Sequence, residues 1–408
     1  MKINKWTLGL AAVGLVSLPS WMQAEEKQNN LLTSLSSTTI SGYVNTSMHW
    51  DLGTGNANNP AYAFGGAGKS DGFNLDVVKL SIEKPLDEAQ WAAGYKVDLL
   101  FGPDANALAT TSTLAPNTTG TSDFAIKQAY VALRAPVGNG LDFKVGVFDT
   151  PIGYEVFDAG ENPNYTRSYG YSIEPTTHTG VLSTYQFSEV ISASVGIANT
   201  FGPVINQRAH NGAGNGVGPI HKAESYKTYM AAVALTAPKD WGWVAGSTLY
   251  GGVINGFSAG GFGADQTSLY VGSTLVTPVT GLKLGISYDY VGVGSQPGFG
   301  QAPTYQNATA LYASFAVPDT KLTVHGRAEY FSQSSGPSGL AGAGFPTKVF
   351  AYTGTIQYDL WKNVLSRLEV RWDHQADGAG HAYGVNPIGT APDRRNAYLV
   401  AANLVYKF

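Results

Sequence analysis

The sequence predicts an all-β fold: a closed antiparallel transmembrane β-barrel of about sixteen strands, with short periplasmic turns and long outer loops; fourteen and eighteen strands are the alternatives. Three observations predict it. Many segments alternate charged and apolar residues with period two. In SRLEVRWDH, residues 366–374, Arg367, Glu369, Arg371 and Asp373 are interleaved with Leu368, Val370 and Trp372. The connections between such segments alternate between short and long. The composition combines 50 Gly, 23 Tyr, 17 Phe and 8 Trp with only 13% charged residues, against about 25% in soluble domains.

The N-terminus sets the compartment. MKINKWTLGLAAVGLVSLPSWMQA places Lys2 and Lys5 before an apolar run from Trp6 to Leu18, then small residues ending at Ala24. That order is a secretory signal peptide, residues 1–24, with cleavage expected after Ala24 and, as the alternative, after Ser20. Its apolar core is shorter than the ~20 residues a spanning helix needs. Residues 25–38, EEKQNNLLTSLSST, read as a polar lead-in, periplasmic or tucked into the lumen, and 39–408 as a single barrel.

The full chain has a formal net charge of −4, and the leader carries two lysines and no acid, so the exported chain is more acidic still. Nucleic acid is not an expected partner. Without cysteine there is no disulfide, lipid anchor, thiolate metal site or haem-attachment pair. No H-E-x-x-H occurs, and neither a metal nor a cofactor is expected.

Period-two runs bounded by turn residues fall at 39–50, 72–84, 90–101, 123–134, 141–149, 178–187, 190–200, 225–236, 243–254, 266–276, 282–291, 306–317, 321–332, 348–360, 364–375 and 395–408. Trp91, Ala93, Tyr95, Val97, Leu99 and Phe101 oppose Lys96 and Asp98. Leu141, Phe143, Val145 and Val147 oppose Asp142 and Lys144. Leu282, Leu284, Ile286, Tyr288 and Tyr290 oppose Lys283, Ser287 and Asp289. Leu322, Val324, Ala328 and Tyr330 oppose Lys321, His325, Arg327 and Glu329. At 72–84 and 123–134 the alternation is weaker, and Lys79 and Lys127 fit either face.

Short connections, such as 85–88, 135–140, 188–189, 237–242, 277–281, 318–320 and 361–363, alternate with long ones at 51–71, 102–122, 150–177, 201–224, 255–265, 292–305, 333–347 and 376–394. Tight turns on one rim and longer loops on the other are the layout of an outer-membrane barrel. A β-sandwich has no reason to sort its loops this way. Closure also gives every backbone group a partner in lipid.

Energetics assign the faces. Arg367 and Arg371 in lipid would each cost about 2–4 kcal/mol near mid-membrane, whereas facing water costs little. The expected lumen-lining set is therefore Lys96, Asp98, Asp142, Lys144, Lys283, Asp289, His325, Arg327, Glu329, Arg367, Glu369, Arg371 and Asp373. Sixteen strands leave an aqueous channel. Trp50, Trp91, Phe101, Trp241, Trp243, Tyr290, Trp361, Tyr398 and Phe408, near strand ends, suit interfacial girdles.

The last strand, AYLVAANLVYKF, ends on Phe408, which resembles the terminal signal read by the barrel-assembly machinery of Gram-negative outer membranes. The stretch GVFDTPIGYEVFDAGENPNYTRSYGYSIEPTTHTGVLSTYQFS, residues 146–188, resembles the β-barrel outer-membrane porin family with OmpL-like members. It carries that family's G-x-F-x-T-P-x-G-Y-E, N-x-x-x-x-R and P-x-T-H-x-G patterns. The resemblance implies an outer-membrane channel for passive diffusion of small polar solutes or ions, and no catalytic residues. A homo-oligomer, a trimer as in general porins, is compatible with it.

The segment 150–177 also stands out on its own residues. It is the longest loop and is rich in aromatics and charge, where the others are mostly Gly, Ala, Asn, Ser and Thr. Such a loop either folds inward and narrows the pore, caps the outer rim, or packs on a neighbouring protomer. Its candidate constriction residues are Tyr154, Glu155, Asp158, Glu161, Arg167 and His178.

Other chemistry is weakly signalled. AFGGAGKS, residues 63–70, approaches a P-loop, but Ala63 replaces the first Gly and no helix follows. No G-x-S-x-G elbow occurs; a barrel enzyme such as a phospholipase would need Ser and a His such as His49, His178, His325, His374 or His381 to converge at a rim. A further alternative is a sheath for a periplasmic partner, for example a cytochrome.

Overall fold

A computed structural model describes residues 37–53, 55, 57–108, 123–209, 226–257, 265–295, 302–334, 345–378 and 380–408. The signal peptide 1–24 and nearly all of the lead-in 25–38 lie outside the described residues, as do part or all of seven outer connections.

Sixteen strands follow in chain order: β1 (Thr39–Trp50), β2 (Gly72–Lys84), β3 (Ala93–Phe101), β4 (Phe124–Ala135), β5 (Leu141–Asp149), β6 (Thr177–Gln186), β7 (Ile191–Ala198), β8 (Thr228–Thr236), β9 (Thr248–Phe257), β10 (Asp265–Val276), β11 (Leu282–Val293), β12 (Thr304–Ala316), β13 (Leu322–Gln333), β14 (Lys348–Trp361), β15 (Val364–Gln375) and β16 (Asn396–Lys407). Each pairs antiparallel with its sequence neighbours, and β1 pairs β16 to close the barrel. Closure leaves no strand edge to be satisfied in lipid. At the seam, Gly42 and Phe408 exchange both backbone hydrogen bonds, at 2.9 and 3.0 Å. The Phe408 ring and the Lys79 carbonyl occupy the space a side chain at 42 would need, so the terminal aromatic is seated on a glycine.

The faces follow the alternation. On β15, Leu368 and Val370 are each 52% exposed on the outer surface, whereas Arg371 is 0% exposed on the inner one. Lys79 and Lys127, ambiguous in sequence, both point inward and are buried. β-Bulges at Asp76 on β2, opposite Asn45 and Thr46, and at Lys127 on β4, opposite Asp98 and Leu99, shift the pairing there, which is why β2 and β4 alternate poorly.

One strand departs from its expected place. The period-two reading began the ninth strand at 243, but Gly242–Val244 form a 3-10 turn and β9 starts at Thr248. Gly242, at φ 64, turns the chain there. The connection 237–247 is consequently longer than both 258–264 and 294–303 on the opposite rim, and 85–92 also exceeds 258–264, so the sorting of connections by length is not strict around β9 to β12. Exposed Trp91, Trp241, Trp243, Trp361 and Phe408 gather at the short-turn rim, and exposed Phe101 and Tyr398 at the long-loop rim.

The core of this molecule lies inside the barrel. The segment between β5 and β6 enters the lumen, carrying a 3-10 turn (Ala159–Glu161) and a short helix, α1 (Tyr169–Ile173). The Ser168 side chain caps α1, accepting from Tyr171 N at 3.1 Å. Tyr165, Tyr169 and Ile173 pack with Val291, Phe331, Val349 and Leu399 of the surrounding wall and with Tyr62 of the connection between β1 and β2.

Candidate functional site

The alternating charges of β13 and β15 meet the main chain of this segment. An irregular backbone inside a barrel has neither a sheet partner nor bulk water, so its N–H and C=O groups need side-chain partners. Glu369 accepts from Tyr165 N at 2.6 Å, Thr166 N at 2.9 Å and the hydroxyls of Thr166 and Thr355. Glu329 accepts from Tyr169 N at 2.7 Å. Arg367 donates to the carbonyls of Ala159, Asn162 and Asn164 and to Asn403. Arg371 donates to the Arg167 carbonyl at 2.7 Å, and Arg327 to the Thr166 carbonyl at 2.7 Å.

The same side chains form an ion network. Arg327 pairs with Glu329 at 2.6 Å and with Glu155 of the segment at 2.9 Å; Arg371 pairs with Asp373 at 2.9 Å. Asp373 in turn accepts from the Tyr169 hydroxyl at 2.8 Å. The Arg371 guanidinium lies 3.8 Å from the Tyr62 ring centroid, a cation–π contact. The ionic face of β13 and β15 was expected to meet water. Instead the segment covers it, because Arg327, Glu329, Arg367, Glu369 and Arg371 are donors or acceptors that the irregular backbone needs, and Asp373 holds Arg371 and the Tyr169 hydroxyl.

The other sequence candidates are dispersed. Lys96 pairs with Glu83 at 2.9 Å, and Asp142 with Arg134 at 2.6 Å, both toward the short-turn rim. Asp98 accepts from Ser81 and Gln128 and lies 3.3 Å from Lys79. Lys144 sits over the Tyr130 ring at 5.1 Å. Lys283 is exposed near the start of β11, and His325 bonds Ser314 at 2.8 Å. Within the segment, Tyr154 stacks on Tyr312 at 4.1 Å, Asp158 pairs with Lys79 at 2.8 Å and Glu161 with Lys407 at 2.5 Å. Arg167 folds back on the carbonyls of Val156, Tyr165 and Phe157 and so shapes the segment itself. His178 was expected on the loop; it belongs to β6, buried against Phe148 and Phe201, since strand pairing begins one residue before it, at Thr177 opposite Asp149, and sets His178 opposite Phe148.

Sequence reasoning passed over several participants. Lys69, in the P-loop-like stretch, is held between Asp76 and Asp104 at 2.6 Å each. Lys127 and Asp149 form another inward pair. Glu174, near the end of the segment, is a third. The available signal was parity: Asp76 and Lys127 sit on strands whose alternation is blurred by bulges.

The segment does not fill the whole lumen. A cavity of about 500 Å³ remains beside it. Its lining comes from Pro151–Phe157, Tyr171 and Glu174 on the segment, Lys127 and Asp149 at one side, and Thr248, Tyr250, Tyr270 and Thr274 of β9 and β10 opposite. The inner face of β9 and β10 carries hydroxyls, tyrosines and glycines and no charge; Asp265, the first residue of β10, has the outward parity of Leu269 and Val271.

Solved structures share the architecture. The anion-selective porin from Comamonas acidovorans superposes with a TM-score of 0.57 at 12% identity, covering 91% of this chain and 99% of that one. The outer membrane channel DcaP of Acinetobacter baumannii gives 0.55 at 12% identity, with 91% and 97% covered. In-vitro folded OmpT of Vibrio cholerae, in its trimer form, gives 0.52 at 12% identity, with 91% and 99% covered. At such identities the likeness is one of fold. No curated protein matches the chain in sequence. The family profile described as "Putative beta-barrel porin-2, OmpL-like" matches residues 37–408, the whole of the barrel. With its sixteen closed strands and partly filled lumen, the chain belongs to that porin family, and it is an outer-membrane channel of a Gram-negative bacterium for small solutes.

Proposed function

We propose that small polar solutes and ions cross this barrel passively, through the space between the inward segment 150–176 and the wall of β9 and β10. The observation that carries this reading is the division of the lumen. The ionic residues of β13 and β15 are committed to holding the segment, while the cavity of about 500 Å³ opens against hydroxyl and tyrosine side chains. The segment then acts as the constriction. Lys96, Asp142, Lys144 and Lys283, nearer the short-turn rim, line the wider part of the path. Selection is by size and local field, without covalent chemistry or energy coupling.

A sheath for a periplasmic protein fits less well, since the segment occupies the space such a partner would take. Assembly through Phe408 is supported by its seat on Gly42 at the barrel seam. A homotrimer is supported by the fold's occurrence as a trimer in the Vibrio cholerae protein. The test is conductance of the purified barrel in planar bilayers. Discrete ion-conducting steps are expected, and larger ones for Tyr154→Ala, which trims the cavity wall. A silent wild-type barrel would sink the diffusion reading, and release of fatty acid from phospholipid by the pure protein would replace it with an enzyme.

A further inference from the structure

The cavity wall carries a charge imbalance at one point. Glu174, at the end of the inward segment, lines the cavity. Its carboxyl faces Asp289 of β11, whose side chain is 2% exposed. Each carboxyl lies in the field of the other, Glu155 adds a third negative charge, and Tyr270 of β10 stands directly opposite Asp289 across the strand pair. The nearby basic residues are committed elsewhere, Arg327 to Glu155 and Glu329, and Lys127 to Asp149. Two facing carboxylates cannot both remain ionised in a partly dry site unless a proton or another cation lies between them.

A second observation points the same way. The Tyr270 hydroxyl, on a side chain 3% exposed, has no hydrogen-bond partner among the described residues, lines the same cavity and interacts with both carboxyls. A buried phenol oxygen left bare is expensive, and here it offers a lone pair beside two carboxylates. The Asp289 carboxyl rests on Gly170 and that of Glu174 on Gly153, in space a Cβ would fill. The segment is therefore shaped to admit both groups. Oxygen donors of this kind, with the tyrosine faces of the cavity beside them, suit a compact positive charge.

We propose that Glu174, Asp289 and the Tyr270 hydroxyl form a cation-recognition site on the permeation path, which takes an inorganic monovalent cation or a primary ammonium group and makes the channel cation-selective. This rests on the channel reading above and names the class of solute it prefers. The guanidinium-rich wall does not face the path, because Arg327 and Arg371 are paired with carboxylates and Arg367 is turned onto the carbonyls of the segment.

The test is the reversal potential of the purified barrel in a planar bilayer under a potassium chloride gradient. Wild type is expected to favour potassium over chloride. Glu174→Gln, and Glu174→Gln with Asp289→Asn, are expected to lose that preference in two steps, while Glu174→Asp keeps most of it. Folding of each variant is read from its resistance to SDS before heating. If the double variant does not fold, Glu174→Gln alone decides, since it leaves the strands untouched. A conducting wild type that prefers chloride, or a folded Glu174→Gln that keeps full potassium preference, overturns the site while leaving the channel standing. Absence of conductance in wild type would instead overturn the channel reading on which the site depends.

Discussion

Two walls of one lumen have opposite chemistry. From β13 to β15 the inner face carries Arg327, Glu329, Arg367, Glu369, Arg371 and Asp373, all 4% exposed or less. From β6 to β10 the inner face has no Asp, Glu, Lys or Arg, and the remaining cavity opens against β9 and β10. Charge on the inside of a barrel thus marks where something must be held. The uncharged wall marks where space is left. The difference follows from cost: an irregular backbone inside a barrel demands many strong partners, whereas a solute passing through is better served by weak ones.

Breaking the charged wall should have the largest effect. Arg367→Glu together with Arg371→Glu sets new carboxylates against Glu369, Asp373 and the carbonyls of residues 159–167. The expected outcome is release of the segment, read as protease cleavage within 150–176 and larger conductance. A segment still protected, with only a changed reversal potential, would show that these guanidiniums line the path. Arg327→Met leaves Glu155 and Glu329 buried without their cation and should cost about 3–5 kcal/mol in urea unfolding of the lipid-embedded barrel. Thr248→Val on the opposite wall should stay within about 0.5 kcal/mol. Equal costs for the two would erase the distinction between the walls.

Smaller changes sharpen it. Glu369→Gln keeps the shape but loses one of two acceptor oxygens, each of which takes one N–H of the segment and one hydroxyl, for an expected loss of about 1–3 kcal/mol. Tyr62→Leu keeps bulk but removes the ring over Arg371, with an expected loss of about 0.5–2 kcal/mol.

The smallest effect is one of pH. Burial, and then the neighbouring Asp289 and Glu155, push the Glu174 carboxyl well above its ordinary 4.5. A raised acid contributes docking stability that is complete below the ordinary value and is lost as pH climbs through the raised one. Cation preference should grow over the same range, as Glu174 gains its charge, and conductance noise should rise with it. Glu174→Gln should flatten both curves; unchanged pH curves in that variant would assign the titration to another group.

Period two and the length of each apolar face determined the strands, their order in a closed barrel and which side of β15 is charged. These are local properties, because one misplaced residue would turn every side chain to the wrong face. Parity was lost where bulges intervene, at Asp76 and Lys127, and a strand start was misjudged where Gly242 turns the chain. What covers the charged wall was decided only by tertiary structure. SRLEVRWDH reads identically whether its charges meet water or the backbone of residues 159–169, since either partner removes them from lipid. Only the path of a segment some two hundred residues earlier in the chain selects between them.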